Sequence, residues 1–488
     1  MEEYMEAKWA EIQADALGLL RDLIRTDTQN FEEAGGTETA AVELLKARFD
    51  EAGVPYEVIE PKPGRGNIVA RLTGDGTSGK GPLLLSAHLD TVHAPKEHWA
   101  AEGWKHDPYG AEIDEADGCL YGRGAVDMKH MAAQSVALLC FIKKAGVGLG
   151  RDLIFAGLAD EERSDSAYGV KYLIENRPDL IQADVVFNEV GGFSMFISDR
   201  EVFPVQFAEK GSARVKLTVR GEGGHASVHN DENPIAKVGL LAHKLTHGRL
   251  PVRVNPVNTA SINGIADVLP FPKSAIFRRL LSPMFTSVIM NNLLTADQVN
   301  IFSPLMRNTA TPTIIGGGDK ANQIPPTAWM IINARLLPGC TIDDVVQDIK
   351  DLIGPRMFEP APDPTGGEEI PPEVTLEVMV SREAVSEDLT NPACSEVMSV
   401  VAKTIAKHAD GAPILPTMVP GSTDSYFYSR HPQKRPICLG FTPIRFPPDI
   451  KFGKIFHGVN ERVPVAGFKW GVRVLGEVVF ELCSAKFD

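Results

Sequence analysis

Three short apolar runs punctuate the first half of the chain. Gly81–Asp90 (GPLLLSAHLD) carries Leu83, Leu84 and Leu85 in a row, and Leu153–Ala159 (LIFAGLA) and Val185–Phe187 are similar. Runs of this kind suit strands buried on both faces of a mainly parallel sheet. Between them, Met128–Lys144 (MKHMAAQSVALLCFIKK) and Tyr168–Glu175 read as helices. Strands alternating with helices predict an α/β layered domain.

Near residue 204 the pattern changes. Ala213–Arg220 (ARVKLTVR) alternates like a half-exposed strand, and a helix candidate follows at Pro234–Leu245. Thr313–Gly316 and Trp329–Leu336 read as strands, Thr341–Leu352 as a helix, and Thr375–Ser381 alternates again. Strand, helix, strand, strand, helix, strand is the order of a small ferredoxin-like sandwich. An apolar stretch of about 261–309 interrupts it, and a loop is expected over the Pro/Gly/Glu-rich Pro360–Pro372. Helix candidates Asn391–Lys407 and Phe468–Cys483 restore the first style. The expected fold is therefore α/β: a mainly parallel-sheet domain sandwiched by helices, built from residues 1–203 and 385–488. A ferredoxin-like α+β domain, 204–384, is inserted into it.

The length of 488 residues agrees with more than one domain. Hydrophobic residues are 43% and charged residues 23%, which is ordinary for a globular chain. The formal net charge of −15 disfavours nucleic acid and anionic membranes as general partners. Six scattered cysteines form no C-x-x-C pair, so free thiols in a reducing compartment, with cytoplasmic localisation, are expected. The N-terminal helix pattern lacks a basic start followed by an apolar stretch, which argues against a secretory signal. No window approaches a membrane span.

Polar groups follow each buried strand candidate: His88 and Asp90, then Asp160, Glu161 and Glu162, then Glu189. Ligands of open α/β sheets bind beyond the carboxyl ends of the strands, so these groups converge on one rim. His88 and Asp90, two apart, face the same side, and a metal-bound imidazole usually donates its other N–H to a carboxylate. Asp127, in GRGAVDMKH, precedes a helix; it is either an N-cap or a carboxylate shared by two cations. Glu161 and Glu162 in ADEER point to opposite sides of an extended chain, so one can ligate while the other faces a water. Taken singly, each has a plainer account as a solvated acid or a satisfied strand-end histidine. With His457 in FHGVNERVP, the set is rich in oxygen and nitrogen donors and has no cysteine. It suits a pair of Zn²⁺ ions, with Mn²⁺ or Co²⁺ as substitutes.

SAHLDTV, GRGAVDMK, ADEE, NE and FHGVNE, in this order, resemble the dinuclear zinc peptidase family of aminoacylase, carboxypeptidase S, glutamate carboxypeptidase and succinyl-diaminopimelate desuccinylase. The resemblance spans nearly the whole chain. It implies that His88, Asp127 and Glu189 hold one zinc and that Asp127, Glu162 and His457 hold the other. Asp90 would orient His88, and Glu161 would be the general base. GEGGHAS matches the stretch around the family's oxyanion-stabilising histidine, here His225, a group often supplied by a partner subunit. The inserted domain is thereby expected to act as a lid and to form a homodimer. Asn322, Arg335 and the Gly421, Ser422, Thr423 loop fall where the family contacts substrate. The implied activity is hydrolysis of the amide bond of N-acyl amino acids or short peptides with a free carboxylate; the alternative is a dipeptidase or aminopeptidase.

The chain departs from the family pattern at Tyr426, where many relatives have an arginine for the substrate carboxylate, and in the RSDSAYG and TQNFEEAGG stretches. Carboxylate recognition then falls to Arg335, Arg430 or backbone N–H groups. In the insert, Ile276, Phe277, Leu280, Leu281, Met284, Phe285, Val288, Ile289, Leu293 and Leu294 recur at helical spacing. They form either lid core and dimer contact or an apolar wall for an acyl group, as in the carboxypeptidase S-like branch, to which the chain is most similar.

Overall fold

A computed structural model describes residues 2–30, 37–163, 167–362 and 369–486. Most of the departing stretches noted above (31–36 and 164–166) and the centre of the loop expected at 360–372 lie outside the described residues. Two compact units are present. The first comprises 1–207, 387–417 and 423–488, and the second comprises 208–386 and 418–422.

The first unit is built on a mixed sheet. Leu83–His88 lies at its centre, parallel to Leu153–Leu158 on one side and to Val185–Asn188 on the other. Ile437–Gly440 extends the parallel run beside Val185–Asn188. Asn67–Leu72 and Tyr56–Ile59 close the opposite edge in antiparallel pairing. Every residue of the strands 83–88, 153–158 and 185–188 is buried, the reason their sequences run apolar without alternation. On one face Leu84, Ile154 and Val186 pack against Val170, Leu173 and Tyr428. Phe155 meets Phe49 of the helix Glu38–Ala52. The helix Lys129–Lys144 is buried almost all round, and it packs with Glu2–Arg25 and Val465–Leu482.

The second unit contains an antiparallel sheet in the spatial order Thr309–Gly317, Thr327–Leu336, Gly211–Arg220, Val374–Arg382. The helices Pro234–His247 and Ile342–Ile353 supply Val238, Leu241, Val345 and Ile349 to a core with Val215, Leu217, Met330 and Ile332. This is the ferredoxin-like arrangement, because alternation leaves each strand one apolar face. The capping box of Thr341 with Asp344 starts the second helix. Four helices occupy the insert: Pro256–Val268, Lys273–Arg278, Pro283–Asn292 and Ala296–Met306. Phe277, Leu280 and Ile289 are buried, whereas Ile276, Met284, Phe285, Val288 and Leu293 are exposed.

Among the described residues the six cysteines form no disulfide, and Cys340 alone is not buried. Among the described residues no helix is long and apolar enough to cross a membrane.

Candidate metal centre

The parallel strands deliver their chemistry to one edge of the first unit. His88 ends the central strand, Glu161 and Glu162 follow Leu153–Leu158, and Glu189 follows Val185–Asn188. Asp127 precedes the helix Lys129–Lys144, and His457 follows the short helix Phe452–Ile455. Asp127 joins the two histidines. Its Oδ1 lies 3.0 Å from His88 Nε2 and its Oδ2 lies 2.7 Å from His457 Nε2. His457 Nε2 also lies 3.4 Å from Glu162 Oε2. Among the described residues, two donor sets close enough to hold an ion share His88: His88, Asp127 and Glu162, and His88, Glu161 and Glu189.

Asp90 works behind this cluster. Its backbone carbonyl lies 3.0 Å from His88 Nδ1, with Oδ1 at 3.5 Å. Its carboxylate also accepts the backbone N–H groups of Glu161 and Glu162, at 3.2 and 3.0 Å. One aspartate therefore sets both the imidazole and the loop that carries the two glutamates. Asn30 donates to Asp90 (2.8 Å) and to Asp160 (3.1 Å), and Arg65 donates to Asn30 and to Glu38.

Three positions here hold left-handed backbone without being glycine: Asp160, Val190 and His457. Such conformations are uncommon for side-chain-bearing residues and concentrate at functional sites. Gly124 is left-handed as well, and a Cβ there would meet the Lys129 side chain at 2.8 Å.

The electrostatics call for cations. Burial, with the charges of Asp90 and Asp127, pushes Glu161 up to about 7 against the pull of His88. Burial and the Asp127 charge raise Glu162 well above its ordinary range; burial and Glu161 do the same to Glu189. Burial opposes a charge on His88, yet hydrogen bonds to Asp127 and Asp90 hold it well above its ordinary value. Asp127 is also penalised by burial, and its bonds with His457 and His88 hold it well below the carboxylate range. Glu162 Oε1 is buried and, among the described residues, accepts no hydrogen bond. Four carboxylates and two imidazoles so placed fit divalent ions with oxygen and nitrogen ligands.

Glu461 escaped sequence reasoning, although it belongs to the FHGVNE motif. Fully buried, its carboxylate accepts from Arg123 Nη1 (2.8 Å) and from the backbone N–H groups of Gly124, Val126 and Asp127 (3.1, 2.7 and 3.0 Å). It ties the Asp127 loop to the segment that bears His457. The hint was in the sequence: an acid four residues past His457, in a run otherwise headed for the core.

The remaining candidates belong to other surroundings. In the second unit His225 pairs in register with Gln323, and the N–H of Ala226 donates to the carbonyl of Asn322 (3.0 Å). His225 Nδ1 lies 2.7 Å from the Ser227 hydroxyl and 3.2 Å from the Ser227 backbone N–H. Arg335 lies on Thr327–Leu336, paired with Ser212 and Thr309. Gly421 and Ser422 are half-buried and group with the second unit. Thr423 belongs to the first unit and is buried; its hydroxyl accepts from Asn188 Nδ2 and from the N–H of Ser425. The Arg430 guanidinium lies 3.6 Å from the centre of the Tyr426 ring.

Such a donor set at the carboxyl edge of a mainly parallel sheet defines a metal-binding α/β protein. Residues 84–481 match Peptidase family M20/M25/M40, and the chain belongs to that family of hydrolases. It is 27% identical to the N-fatty-acyl-amino acid synthase/hydrolase PM20D1 of Homo sapiens over 420 residues, covering 82% of this chain and 73% of that protein. It is 28% identical to Aminoacylase-1 of Sus scrofa over 294 residues, 57% of this chain and 68% of that protein. The fold resembles the M20 family metallo-carboxypeptidase Sso-CP2 from Sulfolobus solfataricus, with a TM-score of 0.63 and 15% identity over 95% of this chain and 98% of that one.

Proposed function

We propose that this protein hydrolyses the amide bond of N-acyl amino acids that carry a free carboxylate. The observation that carries this reading is the Asp127 carboxylate shared by His88 and His457, with Glu161, Glu162 and Glu189 beside it. In this reading His88, Asp127 and Glu189 hold one zinc ion, and Asp127, Glu162 and His457 hold the second. Bound zinc supplies a polarised carbonyl and a more acidic water. Glu161 takes the proton of the attacking water and passes it to the leaving amine. Asp90 keeps His88 and the Glu161 loop in register. His225 donates to the oxyanion as charge develops there. Arg335 receives the substrate carboxylate in place of the arginine replaced by Tyr426.

The similarity to an N-fatty-acyl-amino acid synthase/hydrolase and to an aminoacylase favours acylated over free amines. The inserted domain is read as a lid through which two copies associate. Cysteines outside any disulfide among the described residues suit a reducing compartment such as the cytoplasm.

The test is a substrate panel on zinc-loaded protein, with N-acyl amino acids of varied chain length beside free dipeptides. Acylated substrates should turn over and free dipeptides should not. Cleavage of free dipeptides alone would instead establish a dipeptidase or aminopeptidase, and turnover unaffected by a chelator would dismiss the metal centre.

A further inference from the structure

The second unit contains a cavity of about 270 Å³, none of whose lining residues belongs to the first unit. It lies where the end of Pro234–His247, the helix Ala296–Met306 and the strand Thr309–Gly317 meet. Its lining includes the apolar Leu245, Leu250, Val299, Pro304 and Leu352. It also includes two arginines, Arg249 and Arg307, and no acidic residue lines it among the described residues.

Arg307 is the unusual member. It is 6% exposed, yet it pairs with no carboxylate among the described residues. Its Nη1 donates to the carbonyl of Leu250 (3.3 Å) and its Nη2 contacts Met290 Sδ at 3.6 Å. Its Nε is buried with no partner among the described residues. The nearby carboxylate of Asp348 is already taken, bidentately by Arg253 and again by Asn308. Arg249 is exposed; its Nη1 donates to the carbonyls of Thr246 and Gly248, and among the described residues it pairs with no carboxylate. A buried cation without a counter-ion is costly, and proteins ordinarily pair it. Guanidinium groups match carboxylates in shape as well as charge.

We infer that this cavity binds a small organic carboxylate, with its head on Arg307 and Arg249 and a short apolar tail against Leu245, Leu250 and Leu352. The apolar lining selects against inorganic anions, which would leave it wet. The two arginines select against neutral molecules of the same shape. The site stands apart from the catalytic reading, since its residues include no metal donor.

Titration calorimetry of the full-length, metal-loaded protein with hexanoate tests this. Wild type should bind hexanoate, and Arg249→Glu, at an exposed position, should lose one equivalent or weaken it at least tenfold. Arg307→Met should do the same, and His88→Ala should keep that equivalent. Hexanol and inorganic phosphate should each bind at least tenfold more weakly than hexanoate. The inference is overturned if wild type binds no hexanoate, or if Arg249→Glu and Arg307→Met keep every equivalent. It is also overturned if hexanol or phosphate binds as tightly as hexanoate, or if His88→Ala alone abolishes binding.

Discussion

The carboxylate of Glu461 accepts the backbone N–H of Asp127 at 3.0 Å. It accepts those of Gly124 and Val126 as well, so three successive constraints fix the loop that presents the shared aspartate. Glu461→Gln can retain at most part of this set, because an amide offers one acceptor oxygen where the carboxylate offers two. Zinc affinity measured by competition with a chromophoric chelator should fall about 10–100-fold, the usual effect of disturbing the groups behind a metal ligand. Unchanged affinity would reduce Glu461 to a packing residue.

Glu161→Gln should separate chemistry from metal binding. The amide cannot take a proton from water, so kcat should fall by on the order of 10²–10⁴. Metal content, determined on the same sample, should stay at the wild-type value. Near-normal turnover with both ions in place would remove Glu161 from the role of base.

Arg65 is 1% exposed and holds Glu38 at 2.6 Å and Asn30 at 2.8 Å. Burial, together with Asp90, already pushes Glu38 up to about 7. Arg65→Met strands Glu38 without its cation, while Asp160 loses Arg65 at 3.6 Å but keeps Arg163 at 3.8 Å. Urea denaturation should show a loss of about 3–5 kcal/mol, as expected for breaking a buried pair from one side.

Lys210 is buried and donates to the carbonyls of Pro304 and Arg307 (2.9 and 2.8 Å). Burial, with the Arg335 charge, pushes it down to about 7 from an ordinary value of 10.5. Between those two values the unfolded chain holds the proton more firmly than the folded one, so stability tied to this residue rises with pH across that window. Below about 7 both states are protonated and the penalty is constant. Wild type should therefore gain on Lys210→Met between pH 7 and 9.5 in paired denaturation curves. A pH-independent difference would contradict this.

The strand Thr309–Gly317 is an edge of its sheet, and Ile314 and Ile315 on it are 57% and 58% exposed. Leu240, on the helix packed against that strand, is 69% exposed. Exposed apolar edges invite pairing between chains. Light scattering should report a dimer for wild type and a monomer for Ile315→Lys. A wild-type monomer would withdraw the partner-subunit role of His225.

Much of the centre was legible because parallel strands buried on both faces leave a plain mark: an apolar run that stops at His88, Glu161 or Glu189. The ferredoxin-like unit was legible for the opposite reason, since alternation in ARVKLTVR and TLEVMVS reports one wet face. Glu461 was not legible, because its partners are mainly backbone N–H groups more than 330 positions earlier, and a side chain that satisfies backbone looks like any other acid. Asn30 and Arg65 were hidden likewise, their purpose arising only where distant loops meet. Nor could spacing foretell that 418–422 groups with the second unit while Thr423 returns to the first.

The first unit is written in three pieces of sequence, and His457, Glu461 and the strand Ile437–Gly440 belong to the last. A ribosome must therefore translate the whole inserted domain before the acids gathered around Asp127 gain their second imidazole and the clasp on their loop. Until then the nascent chain holds those carboxylates with His88 but without His457. Competence arrives late in synthesis and in one step, so a transcript truncated before codon 457 should yield no partly working product.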